Sequence, residues 1–251
     1  MKSINYAGLL VAVAFTSSFA QDAQPLEKAS TLTASASLDV ASASIYDSGT
    51  VLSDSLVLQP AFSIGFDAFD AVPLTFGTWA NYATDKLDPM TQNHCFTEVD
   101  LSVGTAYSFE SGPDLAFSLI SWQYPNMEAW NGEELLFASV SKSVGVLTLG
   151  SEFELMLTGD FDNDFHVVPF AKIGTDVTDD VAVALYGQVY YYYGEGVALD
   201  GWMAYNIKAS VSVSSVSLYA AYWGQMDDEM YTDEAHAVED TVFGIGYSVS
   251  I

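Results

Sequence analysis

From Leu32 to Ile251 apolar residues alternate with small or polar ones in about twelve runs, and the segments between the runs are alternately short and long. The first run shows the pattern: Leu32, Ala34, Ala36, Leu38 and Val40 fall on one side, Thr33, Ser35, Ser37 and Asp39 on the other. This is the period of two expected of a strand rather than the 3.6 of a helix. The same reading predicts strands over 32–46, 56–68, 73–83, 96–109, 115–124, 134–143, 146–158, 165–175, 181–193, 199–214, 216–225 and 239–251. Many exceed the five or six residues usual in globular sheets and match the roughly nine to eleven that a tilted strand needs to cross a bilayer.

Period alone does not say whether the apolar face meets a core or lipid. In the fourth run Val99, Leu101, Val103, Tyr107 and Phe109 share one face and Glu98, Asp100, Ser102, Gly104, Ala106 and Ser108 the other, a pattern that suits a water-soluble sandwich as well as a membrane barrel. The connections decide between them. Segments 69–72, 110–114, 143–145, 176–180 and 214–215 are tight, whereas 47–55, 84–95, 125–133, 159–164, 194–198 and 226–238 are longer. Short turns on one side and long loops on the other is the rhythm of an outer-membrane barrel. The expected fold is therefore all-β: one closed antiparallel up-and-down transmembrane β-barrel of about twelve strands, with an even strand count and both ends on the periplasmic side.

Composition places that barrel in an export pathway. Lys2, the apolar stretch Ala7 to Phe15 and Ser18-Phe19-Ala20 form the three parts of a secretory signal, so residues 1–20 read as a signal peptide cleaved after Ala20. Residues 21–31 read as a periplasmic lead and 32–251 as the barrel. The expected location is the outer membrane of a Gram-negative-type bacterium. The lone Cys95 leaves no disulfide, so stability must come from a hydrogen-bonded sheet and its packing. Six Lys, no Arg and 33 Asp plus Glu give a formal charge of −27, which repels nucleic acid and anionic surfaces. Much of that charge falls between strands.

The last run places Phe243, Ile245, Tyr247, Val249 and Ile251 at alternate positions to the C-terminus, the pattern that barrel-assembly machinery reads; it departs in ending on Ile rather than an aromatic residue. Phe66, Trp79, Tyr82, Tyr107, Phe109, Trp122, Tyr124, Tyr191, Tyr193, Tyr205, Tyr222 and Trp223 are candidates for aromatic girdles at the headgroup level. The segment Tyr46-Asp-Ser-Gly-Thr-Val-Leu-Ser-Asp-Ser-Leu-Val-Leu-Gln-Pro60, with Phe96-Thr-Glu-Val-Asp-Leu101, Trp122-Gln-Tyr-Pro125 and the strand after Asp164, resembles the TorF-like porin family of outer-membrane barrels. The resemblance implies passive transport. Where that family commonly has Arg-Gly after the first strand, this chain has Gly49-Thr50.

If the small and polar face is the lumen, its lining candidates are Asp39, Asn81, Glu98, Asp100, Glu152, Glu154, Lys172, Gln188, Asn206 and Lys208. A hairpin centred near Asp162 would bring Glu152 opposite Lys172 as a cross-strand ion pair. An acidic lining favours cations, so the expected function is a porin or channel for small solutes with cation preference. The expected partners are outer-membrane lipid, the assembly machinery and those solutes, with no nucleic acid and no cofactor. Two alternatives stand beside it: a non-conducting structural or adhesion barrel with acidic external loops, and a secreted soluble β-sandwich or lipocalin-like binder. Asp160, Asp162 and Asp164 have the alternate-carboxylate spacing that opens a calcium loop, but Phe165 stands in place of the glycine and Ala171 in place of the distal Glu. The acidic 227–240 loop could hold divalent ions loosely. His94, His166 and His236 lie in separate segments, and no nucleophile or phosphate motif is present, so no enzyme is expected.

Overall fold

Each predicted run is a strand in the computed structural model of the chain, which describes residues 32–45, 51–53, 55–68, 72–84, 95–110, 112–125, 132–159, 163–194, 200–226 and 240–250. The strands are β1 Thr33–Ala41, β2 Ser44–Ile45, β3 Val51–Ser53, β4 Val57–Ala68, β5 Val72–Ala83, β6 Cys95–Ser108, β7 Asp114–Gln123, β8 Glu133–Val144, β9 Leu147–Met156, β10 Phe165–Asp176, β11 Val181–Tyr193, β12 Asp200–Val213, β13 Val216–Gln225 and β14 Asp240–Ser250. All but β2 and β3 form one closed antiparallel barrel in sequence order, sealed by β1 against β14 in the register Asp39↔Gly246. Closure leaves no unpaired edge. It also removes the sandwich alternative.

The first strand is shorter than its alternation suggests. It ends at Ala41; the Ser42 N–H then donates to the Phe243 carbonyl (2.8 Å) and the Ser42 hydroxyl accepts from the Phe243 N–H (3.0 Å). Ser44 and Ile45 turn away to pair with β3. The Ala/Ser alternation runs straight through this departure, so period alone gives no sign of it. The signal peptide, the lead and the acidic 227–239 loop lie outside the described residues.

The apolar face points outward: Leu101 is 55% exposed, Phe117 50%, Leu185 49% and Leu218 58%. An apolar surface of this extent is not one that water tolerates on a monomer; hydrocarbon is the solvent it suits. Aromatic pairs sit at both ends of that face, with Phe66 on Phe76 and Tyr107 on Phe109 toward the short turns, and Tyr82 on Phe96, Tyr191 on Trp202 and Tyr205 on Tyr222 toward the long loops. Four girdle candidates belong elsewhere. Trp122, Tyr124 and Trp223 are 7% exposed within interior clusters, and Trp79 shares the inward face of Asn81. Aromatic residues near strand ends read alike in sequence whichever way they point.

The barrel is two-fold in register. Strands β1 and β4 to β8 repeat as β9 and β10 to β14: Asp39↔Gln59 matches Glu152↔Val168, and Asp100↔Trp122 matches Asn206↔Trp223. At the two seams between the halves, Ser139↔Glu152 matches Gly246↔Asp39. The bulge at Asn81/Tyr82 has its counterpart at Tyr190/Tyr191. The aromatic pairs beside those bulges agree in geometry, Tyr82–Phe96 at 5.2 Å and 72°, Tyr191–Trp202 at 5.1 Å and 74°. Part of this repeat is written in the chain: Pro60, Ile64, Gly65, Asp67, Asp70 and Val72 recur as Pro169, Ile173, Gly174, Asp176, Asp179 and Val181. Each proline faces out where the ladder to the next strand is interrupted, as its missing N–H requires.

Candidate functional site

The inward face changes character along the barrel axis. Toward the short turns it carries small residues, among them Ser35, Ser37, Ser63, Thr75, Gly150, Gly174 and Ala184, which are partly exposed although they point inward. This end is a vestibule open to solvent. Toward the long loops two packed clusters fill the interior: Ile120, Trp122, Tyr124, Leu135, Phe137 and Met156 on one wall, and a larger group including Val168, Tyr190, Tyr192, Met203, Tyr219 and Trp223 on the other.

Buried polar groups lie between and beneath these clusters. Of the lining candidates, Asp39, Asn81, Glu98, Asp100, Glu152, Glu154, Gln188, Asn206 and Lys208 are all 5% exposed or less, and Lys172 is partly exposed on the vestibule side. Asn81, Gln188 and Asn206 are among those held by hydrogen bonds. The Gln59 amide donates to Asn81 Oδ1 (3.0 Å), and Asn81 donates to the Thr97 hydroxyl (2.7 Å). Tyr186 donates to Gln188 Oε1 (2.5 Å), and the Gln188 amide meets the Tyr190 hydroxyl. Asn206 Nδ2 reaches the Tyr222 carbonyl at 3.5 Å.

The expected Glu152–Lys172 pair does not form across the strands. Glu152 stands opposite Val168, and Lys172 opposite Thr148, because β9 and β10 pair symmetrically about residue 160 rather than 162, and a shift of the hairpin centre moves each partner by twice as much. Glu154 takes the basic partner instead. His166 Nδ1 lies 3.1 Å from Glu154 Oε2, the ring donating to the carboxylate. The ring also packs against Tyr192 at 4.3 Å between centroids, and Tyr192 donates to Asp164.

That contact gives Asp164 a structural place, 1% exposed beneath the aromatic cluster. Asp160 and Asp162 lie outside the described residues. Among the described residues no group of three or more His, Cys, Asp or Glu is placed to hold a metal. The list of lining candidates omits Glu133, Asp164 and His166, all inward and buried. Extending the alternation of Leu135 and Phe137 back one step finds Glu133. No local signal finds the Glu154–His166 contact, which depends on register.

Asp39 and Lys208 form a distinct group. Asp39 is wholly buried and accepts no hydrogen bond at either carboxylate oxygen. It packs over Gly246, directly opposite on β14, where a Cβ would collide with the carboxylate and lie 2.7 Å from the Ser217 hydroxyl. Lys208 acts on Asp39 electrostatically, but its Nζ rests over the Tyr219 ring, 4.0 Å from the centroid, a cation–π contact. Beside it lies a cavity of about 50 Å³ lined by Gln59, Asn206, Lys208, Tyr219 and Trp223 among others. Asn206 Oδ1 is buried there with no donor.

No protein-family model matches the chain, and no curated protein matches it in sequence. In three dimensions it is similar to an outer membrane channel from Pseudomonas putida F1, at 13% identity and a TM-score of 0.50, over 92% of this chain and 98% of that one. It is likewise similar to the NanC porin, at 11% identity and a TM-score of 0.50, over 84% of this chain and 97% of that one. At these identities the likeness is one of fold: the chain has the architecture of outer-membrane channel barrels.

Proposed function

We propose that the chain is an outer-membrane barrel that lets small solutes diffuse through a narrow polar lumen, with preference for cations. The carrying observation is the interior charge. Asp39, Glu98, Asp100, Glu133, Glu152, Glu154 and Asp164 are buried inside a barrel whose facing ammonium groups, among the described residues, are Lys172 and Lys208. Burying carboxylates in a dry interior costs several kcal/mol each, so the arrangement suits a lumen that admits water and counter-cations. A local surplus of carboxylates then raises the cation concentration where the passage is narrowest.

The likeness in fold to outer-membrane channels and the resemblance to TorF-like porins support the same reading. The signal-like N-terminus and the alternating last strand support export to the outer membrane and insertion by the assembly machinery. The aromatic clusters toward the long loops favour a second reading, a barrel closed at that end.

Conductance in planar bilayers separates the two. The expected result is single-channel steps whose reversal potential in a KCl gradient shows potassium more permeant than chloride. Absence of steps at several salt concentrations would leave the closed barrel, and chloride preference would remove the charge argument.

A further inference from the structure

We propose that the cavity beside Lys208 seats a hydroxyl group of a small neutral polyol. The inference deepens the reading of the lumen as a passage, by naming a class of solute held in transit, and rests on it. Lys208 and Asn206 line the same cavity, and their hydrogen-bonding needs are opposite. The Lys208 ammonium rests on the Tyr219 ring and has only protons to give; Asn206 Oδ1, buried with no donor, has only lone pairs to offer. A hydroxyl meets both, accepting from Nζ and donating to Oδ1. An ammonium would answer Oδ1 and repel Lys208, and a carboxylate would answer Lys208 and repel Oδ1. Asp39 offsets the lysine charge without lining the cavity, so the site calls for no net charge in its occupant. Volume separates a solute from a lone water. One water needs about 10–15 Å³, so about 50 Å³ has room for a carbon together with its hydroxyl. Tyr219, Trp223, Ala221 and Val242 supply an apolar wall for the C–H side of that group. Apolar walls with a few convergent polar groups are the general form of a small-molecule site.

The two-fold repeat shows that the scaffold does not require this set of residues. The register that pairs Gly77 with Ser102 in the first half pairs Tyr186 with Lys208 in the second, so the counterpart of Lys208 is Ser102. By the same relation Asp100 and Ser118 stand where the second half has Asn206 and Tyr219. Of these positions only the tryptophan is kept, as Trp122 and Trp223. The donor, the neutral acceptor and the ring therefore come together in the second half alone, while the same backbone closes the first half without them.

The test is calorimetric titration of glycerol into the full chain refolded in detergent micelles. Three probes accompany it: methylammonium and acetate, each with one charge, and the trimethyl ether of glycerol, which accepts hydrogen bonds but has none to donate. Glycerol is expected to bind saturably, and each probe at least tenfold more weakly. Lys208→Met and Asn206→Leu, which remove the donor and the acceptor at nearly constant volume, should each weaken glycerol at least tenfold, while Ser102→Ala at the counterpart position leaves it unchanged. Heat-modifiable gel migration checks that each variant has folded, and Lys208→Ser or Asn206→Ala replaces one that fails. A folded barrel with no saturable glycerol binding means that the cavity holds water alone and overturns the proposal. Binding indifferent to both Lys208 and Asn206, or a probe that matches glycerol, overturns it as well. Channel steps without glycerol binding sink this inference and spare the porin reading; glycerol binding without steps leaves the site and removes the passage.

Discussion

Two equivalent positions in the barrel solve one packing problem in opposite ways, and exchanging the solutions tests the two-fold relation energetically. In the first half Ser118 on β7 faces Phe137 on β8; in the second Tyr219 on β13 faces Gly244 on β14. Each pair sets one aromatic ring against one small residue. A Cβ built on Gly244 falls within the Tyr219 ring, so Gly244→Phe alone forces the ring aside, at about 1–3 kcal/mol or more for overpacking. Tyr219→Ser alone empties ring volume from the second cluster, at about 3–5 kcal/mol by analogy with Phe→Ala. The double variant rebuilds the Ser118–Phe137 arrangement. It loses chiefly the Lys208 cation–π contact, about 0.5–2 kcal/mol. Additive singles would total about 4–8 kcal/mol from the sum of those two ranges, so the double should be more stable than that sum by about 2 kcal/mol or more. Equilibrium urea unfolding of micelle-refolded protein, followed by tryptophan fluorescence and gel migration, measures all four corners of the cycle. Additivity within about 0.5 kcal/mol would refute the equivalence.

The remaining predictions use simpler perturbations. Phe137→Ala, at a wholly buried ring, should cost about 3–5 kcal/mol in the same unfolding assay; a loss below about 1 kcal/mol would mean that the first cluster is not packed. Glu98→Gln with Asp100→Asn should shift the zero-current potential in a KCl gradient toward that of a neutral pore, and an unchanged potential would separate these acids from the conducting path. Cysteines at Ser37 and Ser248, opposite each other across the β1–β14 seam, should oxidise to a disulfide in a Cys95→Ser background. A pair at Ser37 and Val249, whose side chains alternate to opposite faces, should not; equal yields for both pairs would contradict the register of closure.

Strands and topology were legible because a membrane imposes them one residue at a time. Each position faces either lipid or lumen, so alternation survives along nearly every strand, and the difference between the two sides of the membrane survives in loop length. Register was not legible to the same depth. The Glu152–Lys172 expectation failed because a hairpin centre misplaced from residue 160 to 162 moved each partner by two inward positions. Direction failed for Trp122 and Trp223, since an aromatic residue satisfies a girdle and an interior cluster equally well in sequence. The Glu154–His166 contact, the swap of ring and small residue, and the Lys208–Tyr219 contact all lie across strand pairs or deeper in the barrel, where no local pattern encodes them. The repeat beginning at Pro60 and Pro169 was readable throughout, but its six shared residues are scattered among changed ones.

That repeat changes what the interior charges mean. If both halves were built only to fold, equivalent positions would carry equivalent chemistry, and at the outward bulge aromatics and at Trp122 and Trp223 they largely do. At three other interior positions they diverge. Asp100 becomes Asn206, Ser102 becomes Lys208 and Ser63 becomes Lys172, so the second half trades an acid for an amide and gains both interior lysines. None of these changes is required by the backbone, because the counterpart strand adopts the same register without them. Lys208 is retained in a buried interior at a cost in stability, offset in part by the opposite charge of Asp39; on the proposed reading of the barrel as a channel, the rest of the reason lies in what crosses the lumen. On that reading the asymmetry between two otherwise matching halves is where a solute would act, and the positions where counterparts differ in charge are the ones to exchange first.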